Sequence, residues 1–161
     1  MNPMSQTVLG IDQATKTGYA VVTDGEVTTS GTKVFSTQLG KRLVDFESWF
    51  REMLITHTPS VVVYEKPHFR GYDSTISCVG LIINMIKVCY ESGTPLVGVH
   101  SATLKSFATG YGKATKEQMT KAATEHTGIK LEAKKNNDEA DAIHLAQYGW
   151  FNVLKEKNAV Q

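Results

Sequence analysis

The chain has 161 residues, of which 41% are apolar and 20% charged, and its formal net charge is +1 at pH 7. This is the composition of an ordinary globular protein, which excludes disordered and fibrous classes, and residues 1–161 are expected to form a single domain. No uninterrupted apolar run is long enough to span a bilayer, and residues 1–6 lack the pattern of a signal peptide. We therefore expect a cytoplasmic protein with no membrane partner.

The two cysteines, Cys78 and Cys89, fall on one predicted helix. Eleven residues of helical rise separate them by about 16 Å, which is too far for a disulfide bond between them. The sequence has no CxxC motif, so both thiols are most simply interpreted as core residues in reducing surroundings.

An antiparallel meander is predicted at the start of the chain. Residues 8–22 form a strand, a turn and a returning strand, and residues 26–35 add a third strand after another turn. The first strand is apolar until it ends on Asp12. A buried Asp is rare unless it is paired or binds a metal, whereas an ordinary turn or capping Asp is the simpler alternative.

Helices and buried strands alternate over the next part of the chain. A helix at residues 40–57 crosses over to a strand at 61–65, which is again apolar until it ends on a carboxylate, Glu65. The helix predicted at 74–92 has an apolar face broad enough to contact both the core and a second subunit. A short buried strand at 95–99 follows.

The polar residues that flank the next helices are typical of helix caps. Ser101 is expected to cap a helix that runs through Phe107, and Thr115 with Gln118 forms a capping box for the following helix. Residues 130–137 are polar and are expected to be a loop.

The last helix is predicted to open on Asp138, with Asn136 or Asn137 as its N-cap. Asp138 and Asp141 share one face of its first turn, whereas Glu139 is rotated by about 100°. The helix dipole favours acids at this position, so capping alone is one explanation. The same side of the helix continues with Ala142, Leu145 and Ala146. We therefore expect this acidic pair to face the sheet.

Four carboxylates are thus expected to converge, namely Asp12, Glu65, Asp138 and Asp141. Carboxylates crowd together only where protons or cations offset their repulsion, and an all-oxygen cluster suits Mg²⁺ or Mn²⁺. Two such ions stabilise both the attacking and the leaving oxygen of a displacement at phosphorus. The cluster therefore predicts phosphodiester hydrolysis.

Positive charge is unevenly distributed along the chain despite its small net value. Lysines exceed acids between residues 100 and 135, and Lys66, His68 and Arg70 form a second basic patch. Each patch alone is most simply a solvated face. Two patches that flank acidic residues favour a nucleic-acid partner.

The acids in the segments LGID, VVVYEKP and DEADAIHLA, together with this order of elements, resemble the RuvC-like Holliday-junction resolvases of the RNase H-like superfamily. The resemblance covers residues 8–150. It implies an α/β fold with a mixed five-stranded sheet, an antiparallel meander followed by parallel strands, flanked by helices. It also implies a homodimeric endonuclease, dependent on Mg²⁺ or Mn²⁺ with two ions per site, that nicks four-way DNA junctions symmetrically.

The resemblance also implies roles for individual residues. The metal-binding acids are Asp12, Glu65, Asp138 and Asp141, and the basic residues beside the cut phosphate are Lys105 and Lys116. The expected DNA-binding residues are Lys66, Phe69, Arg70, Lys113, Lys134 and Lys135, with Phe69 stacking on an unpaired base at the branch point. In the helix at 74–92, the residues expected at the dimer interface are Leu81, Ile82 or Met85.

One departure from the family pattern directly follows the first acid, where Gln13 and Ala14 replace the usual Pro-Gly pair. This departure and the short chain suggest a bacteriophage-type member. The alternatives are a resolvase-like RNA-processing nuclease and a junction-binding protein that does not cut. Actin-like ATPases and sugar kinases share the superfamily shape, but they need two such domains, so no nucleotide cofactor is expected.

Overall fold

A five-stranded mixed sheet forms the centre of the molecule, which the computed structural model describes over residues 4–155. The strands are β1 (Thr7–Asp12), β2 (Lys16–Thr23), β3 (Glu26–Val34), β4 (Val61–Glu65) and β5 (Leu96–Val99). Their order across the sheet is β3-β2-β1-β4-β5. The first three pair antiparallel, and β4 and β5 run parallel to β1. The predicted meander followed by parallel strands is therefore confirmed.

Helices cover both faces of this sheet. They are α1 (Leu39–His57), α2 (Tyr72–Ser92), α3 (Ser101–Thr109), α4 (Lys116–Thr127) and α5 (Ala133–Tyr148), and a π-helical segment, Gly149–Leu154, follows α5. One core lies between the sheet and α1 with α2, and the other lies between the sheet and α3, α4 and α5. Successive strand residues point to opposite faces, so β1 and β4, which are largely apolar before their final carboxylates, serve both cores.

The helix starts differ from the predicted ones at two places. No side-chain cap is formed at α3, whose N-cap is His100, so the interpretation of Ser101 as a cap is wrong. Helix α5 begins at Ala133, inside the segment predicted to be a loop, and a kink at Asn136 (φ −122°, ψ 17°), one of the two predicted N-caps, separates this first turn from the helix that carries the acids. The predicted capping box at the start of α4 is confirmed, because the Thr115 and Gln118 side chains bond to each other's backbone N–H groups.

Helix α2 is the longest helix of the described residues, and it presents apolar side chains on two sides. Leu81 and Met85 are fully buried and Ile82 is 8% exposed, all three packed within this chain. The expectation that they form a dimer interface is therefore wrong. By length and composition alone α2 could cross a membrane, but its inner side belongs to the core between α1, α2 and the sheet.

Candidate active site

Asp12 and Glu65 stand at the ends of the two central, parallel strands. In β1 the side chain of Val8 faces α5 and a Cβ at Gly10 would meet α5, and in β4 the side chains of Val61 and Val63 face the same way. Because side chains alternate along a strand, the carboxylates that end β1 and β4 both lie on this face. Strand pairing therefore brings together two acids separated by 53 positions in the sequence.

Helix α5 carries the other two acids, and two glycines let it lie close against the sheet. A Cβ on Gly18 would collide with the backbone carbonyl of Asp138, and a Cβ on Gly10 would collide with that of Ala142. Gly18 is the direct partner of Asp12 in the β1–β2 ladder. The first turns of α5 therefore rest directly on the strand ends, and the carboxyl group of Asp138 lies close enough to that of Asp12 to raise its pKa.

The four carboxylates act on one another electrostatically. Burial raises the pKa of Asp12 well above its usual value, and the carboxylates of Asp141, Glu65 and Asp138 raise it further. Burial also raises the pKa of Asp141 to about 7, with contributions from Glu65 and Asp138. The predicted convergence of these acids is therefore present, and their mutual repulsion is only partly offset within the chain.

The cations that offset it come from α3 and α4. Lys105 and Lys116 both lower the pKa of Asp141, so their ammonium groups act on that carboxylate. A cavity of about 250 Å³ opens between these elements. Its lining includes Glu65, Asp141, Lys105, Lys116, His68 and Arg70. Glu65 and Asp141 therefore share one cavity with both predicted lysines, whereas Asp12 and Asp138 are not part of its lining.

The remaining residues predicted to bind DNA lie outside this lining. Lys66, Lys113 and Lys134 are exposed, and the Nζ atom of Lys66 lies 3.5 Å from Nε2 of His100. Phe69 is 72% exposed, beyond the end of β4. Lys135 forms an exposed ion pair with Glu132 in its own helical turn. These residues are therefore exposed, and none of them lines the acidic cavity.

Glu139 points away from the cluster, as its helical phase predicts. Its Oε2 atom accepts a 2.6 Å hydrogen bond from the Ser30 hydroxyl on β3. Two other contacts near the site were not foreseen from the sequence. Lys16 donates to the backbone carbonyl of Lys135, and Gln13 donates to that of Glu65. Both contacts join positions more than fifty residues apart, so no local pattern could have indicated them.

The donor set fits a hard divalent cation. Carboxylate oxygens are the ligands that Mg²⁺ and Mn²⁺ prefer, and a deep carboxylate such as Asp12 needs positive charge nearby to remain ionised. Among residues 4–155, no three His, Cys, Asp or Glu side chains are already grouped closely enough to hold one ion. The four acids are therefore close enough to affect one another's pKa, but no three of them are arranged as ligands of a single ion.

Comparison with known proteins gives the family from sequence and the fold from structure. Residues 8–148 match the model of the crossover junction endodeoxyribonuclease RuvC family. A protein of that name from Gloeobacter violaceus is 32% identical over 131 residues, which cover 81% of this chain and 72% of the relative. Another from Corynebacterium efficiens is 32% identical over 159 residues, covering 91% and 69%. These relatives are bacterial, and the bacteriophage-type assignment stays a prediction.

Solved structures share the fold. The Thermus thermophilus RuvC in complex with a Holliday junction substrate superposes with a TM-score of 0.81 at 21% identity, covering 94% of this chain and 96% of the other. The yeast mitochondrial Holliday junction resolvase Ydc2 gives 0.66 at 17% identity, covering 95% and 82%. The fold is therefore RNase H-like, as predicted. With four acids converging at the ends of β1 and β4, the chain belongs to the crossover junction endodeoxyribonuclease RuvC family of Holliday-junction resolvases.

Proposed function

We propose that this chain cuts four-way DNA junctions through Asp12, Glu65, Asp138 and Asp141, with Lys105 and Lys116 beside the phosphate that is cleaved. The observation that carries the proposal is the convergence of these acids from β1, β4 and α5, two of which, Glu65 and Asp141, share a cavity with the two lysines. Family membership supports the reaction, and the cluster supports these residues as its site. Such a nuclease works on DNA in the bacterial cytoplasm.

Two divalent cations, Mg²⁺ or Mn²⁺, are proposed to be held by the four carboxylates. When bound, such ions stabilise the oxygen that attacks phosphorus and the oxygen that leaves. The chain itself contributes fixed negative charge that binds the ions, and the Lys105 and Lys116 ammonium groups balance charge that develops on the phosphate. The buried side chains of Leu104 and Met119 form the apolar part of the cavity wall.

The exposed basic residues around the cavity are proposed to bind the junction arms. Lys66, Lys113, Lys134 and Arg70 project to solvent, where they can neutralise backbone phosphates. Phe69, equally exposed, is positioned for stacking on an unpaired base. The solved Thermus thermophilus neighbour is described with a Holliday junction, and a fowlpox virus resolvase with a TM-score of 0.51 is also described with one.

The proposed active form is a homodimer joined through α2. The solvent-exposed apolar side chains of α2 repeat with heptad spacing, which is the pattern of two helices that pack along a common seam. These exposed apolar residues are Tyr72, Ile76, Ile83, Ile86 and Tyr90. A two-fold dimer places two active sites at a fixed separation, which symmetric nicking of a two-fold junction requires.

A cleavage assay separates this proposal from its alternatives. Purified protein is incubated with four-way DNA, duplex DNA and structured RNA, each with Mg²⁺ and with EDTA. We expect paired nicks in the four-way DNA with Mg²⁺, intact duplex, and a stable complex without cutting in EDTA. Preferential cutting of RNA would support the RNA-processing alternative. Binding without cutting under every metal condition would support a junction-binding protein.

A further inference from the structure

Gln13, the residue after Asp12, lies on the opposite face of the sheet from the four acids. Asp12 faces α5, and the alternation of side chains directs Gln13 to the α2 side, where its amide Nε2 lies 3.8 Å from the Cys78 sulfur. Gln13 is only 7% exposed. A buried polar side chain at this point needs partners, and those that it has connect it to β4.

The main contact of Gln13 is with the backbone of Glu65. Its Nε2 donates a 3.0 Å hydrogen bond to the Glu65 carbonyl oxygen. Because a carbonyl can only accept, the contact requires the amide nitrogen rather than the amide oxygen to face β4. The Gln13 side chain therefore connects the end of β1 to the end of β4.

The hydrogen bond from Gln13 to Glu65 joins β1 to β4 beyond the last residue pair of their ladder. The ladder between β1 and β4 ends at the pair Ile11 and Tyr64. The Lys66 N–H donates to Val99 of β5, so the Glu65 carbonyl of the same planar peptide points the other way, towards β1. Among residues 4–155, no backbone N–H beyond the ladder donates to this carbonyl. The Gln13 amide supplies the missing donor.

We propose that Gln13 is a positioning residue that holds the peptide after Glu65, and with it the Glu65 carboxylate, in register with Asp12. This inference rests on the proposed function, in which both carboxylates hold metal ions. The Oε1 atom of Gln13 is buried and has no hydrogen-bond partner among residues 4–155. A side chain selected for stability alone would not leave an acceptor unsatisfied, which favours a role at the site.

The test replaces the amide without changing the size of the side chain. Gln13→Met keeps the packing against α2 and removes the donor to Glu65. We expect roughly a tenfold rise in the Mg²⁺ concentration that gives half of the maximal thermal stabilisation, the size of effect seen when a ligand loses its supporting hydrogen bond. The same rise should appear in the Mg²⁺ dependence of cleavage. Junction affinity in EDTA should be unchanged.

The matched control is Gln147→Met, the same substitution at a buried glutamine of α5. It should leave both metal dependences at wild-type values. Gln13→Met should also keep its melting temperature without metal to within about 2 °C, because one unpaired group is exchanged for another. A Gln13→Met protein with wild-type metal dependence, whatever its melting temperature, would overturn the inference.

Asp12→Asn and Glu65→Gln in the same titrations separate this inference from the proposed function. If these two variants lose metal stabilisation and cleavage while Gln13→Met retains both, only the role of Gln13 is wrong. If they too keep wild-type metal binding and cleavage, the carboxylates are not the metal site and the proposed function fails.

Discussion

At the scale of single residues, Asp12 is a side chain whose burial costs stability. Because burial and three neighbouring carboxylates raise its pKa, the ionised form is disfavoured in the folded protein without metal. Asp12→Asn should therefore raise the melting temperature in EDTA, while cleavage falls by orders of magnitude and junction binding survives. Differential scanning fluorimetry and a junction cleavage assay measure the two effects.

Glu139→Gln is the control for Asp12→Asn, since its charge is the same but its side chain bonds to Ser30 on β3. An amide oxygen can still accept this bond, so cleavage should stay within a few-fold of wild type. Loss of cleavage in Glu139→Gln with normal cleavage in Asp141→Asn would mean that the acids have been assigned to the wrong face of α5.

His144 predicts how stability depends on pH. It is fully buried, and its Nε2 donates to the Met119 carbonyl, which leaves Nδ1 without a proton or a partner in the described residues. Burial lowers its pKa. The unfolded chain therefore binds a proton near pH 6.5 that the folded chain excludes, so stability is lost as the pH falls below about 6.5.

His144→Gln keeps an amide donor for Met119 and cannot become charged, so its stability should fall less than that of wild type between pH 6.5 and pH 5. Urea midpoints across this range measure the difference. The exposed His126, whose ring centroid lies 6.2 Å from that of His144, provides the control His126→Gln. Equal pH slopes for wild type and His144→Gln would rule out His144 as the source.

At the scale of elements, the close packing of α5 against the sheet determines where Asp138 and Asp141 lie. Gly18→Ala places a methyl group against the Asp138 carbonyl, so α5 must move away from β2. We expect a loss of about 1–3 kcal/mol in the free energy of unfolding, the usual cost of overpacking. Cleavage should fall further than stability alone explains, because Asp138 moves away from Asp12.

The control is Gly40→Ala near the start of α1, where an added Cβ meets no atom within 4 Å. Alanine there should raise the free energy of unfolding by up to about 1 kcal/mol, because glycine is a poor helix former. Urea denaturation and cleavage rates measure both variants. A Gly18→Ala protein as stable and active as wild type would show that α5 accommodates the methyl group.

At the scale of the whole molecule, the proposed dimer depends on the exposed apolar stripe of α2, which consists of Tyr72, Ile76, Ile83, Ile86 and Tyr90. Ile83 is 50% exposed at the middle of this stripe, so Ile83→Glu should dissociate the dimer without unfolding the monomer. The variant should sediment as a monomer and lose the simultaneous paired nicks, while single nicks can persist. The control is Val44→Glu, at a 69% exposed site on α1 outside the stripe. If the Ile83→Glu protein stays dimeric, the dimer interface does not lie on this stripe of α2.

The sequence by itself determined the order of elements, the meander and the four acids, because strand alternation, helical phase and capping are local properties. The capping box at Thr115 and the outward turn of Glu139 followed from the same rules. The sequence wrongly predicts Leu81, Ile82 or Met85 at an interface, because a broad apolar face does not reveal which part the core covers.

Only the tertiary structure decided the rest. It showed that the stripe through Ile83, rather than the one through Leu81, is left exposed, and that α5 begins before a kink at Asn136. It also showed that Gln13 supplies a hydrogen bond to Glu65. These features depend on contacts between distant segments, and neither propensity nor periodicity carries information about a partner fifty residues away.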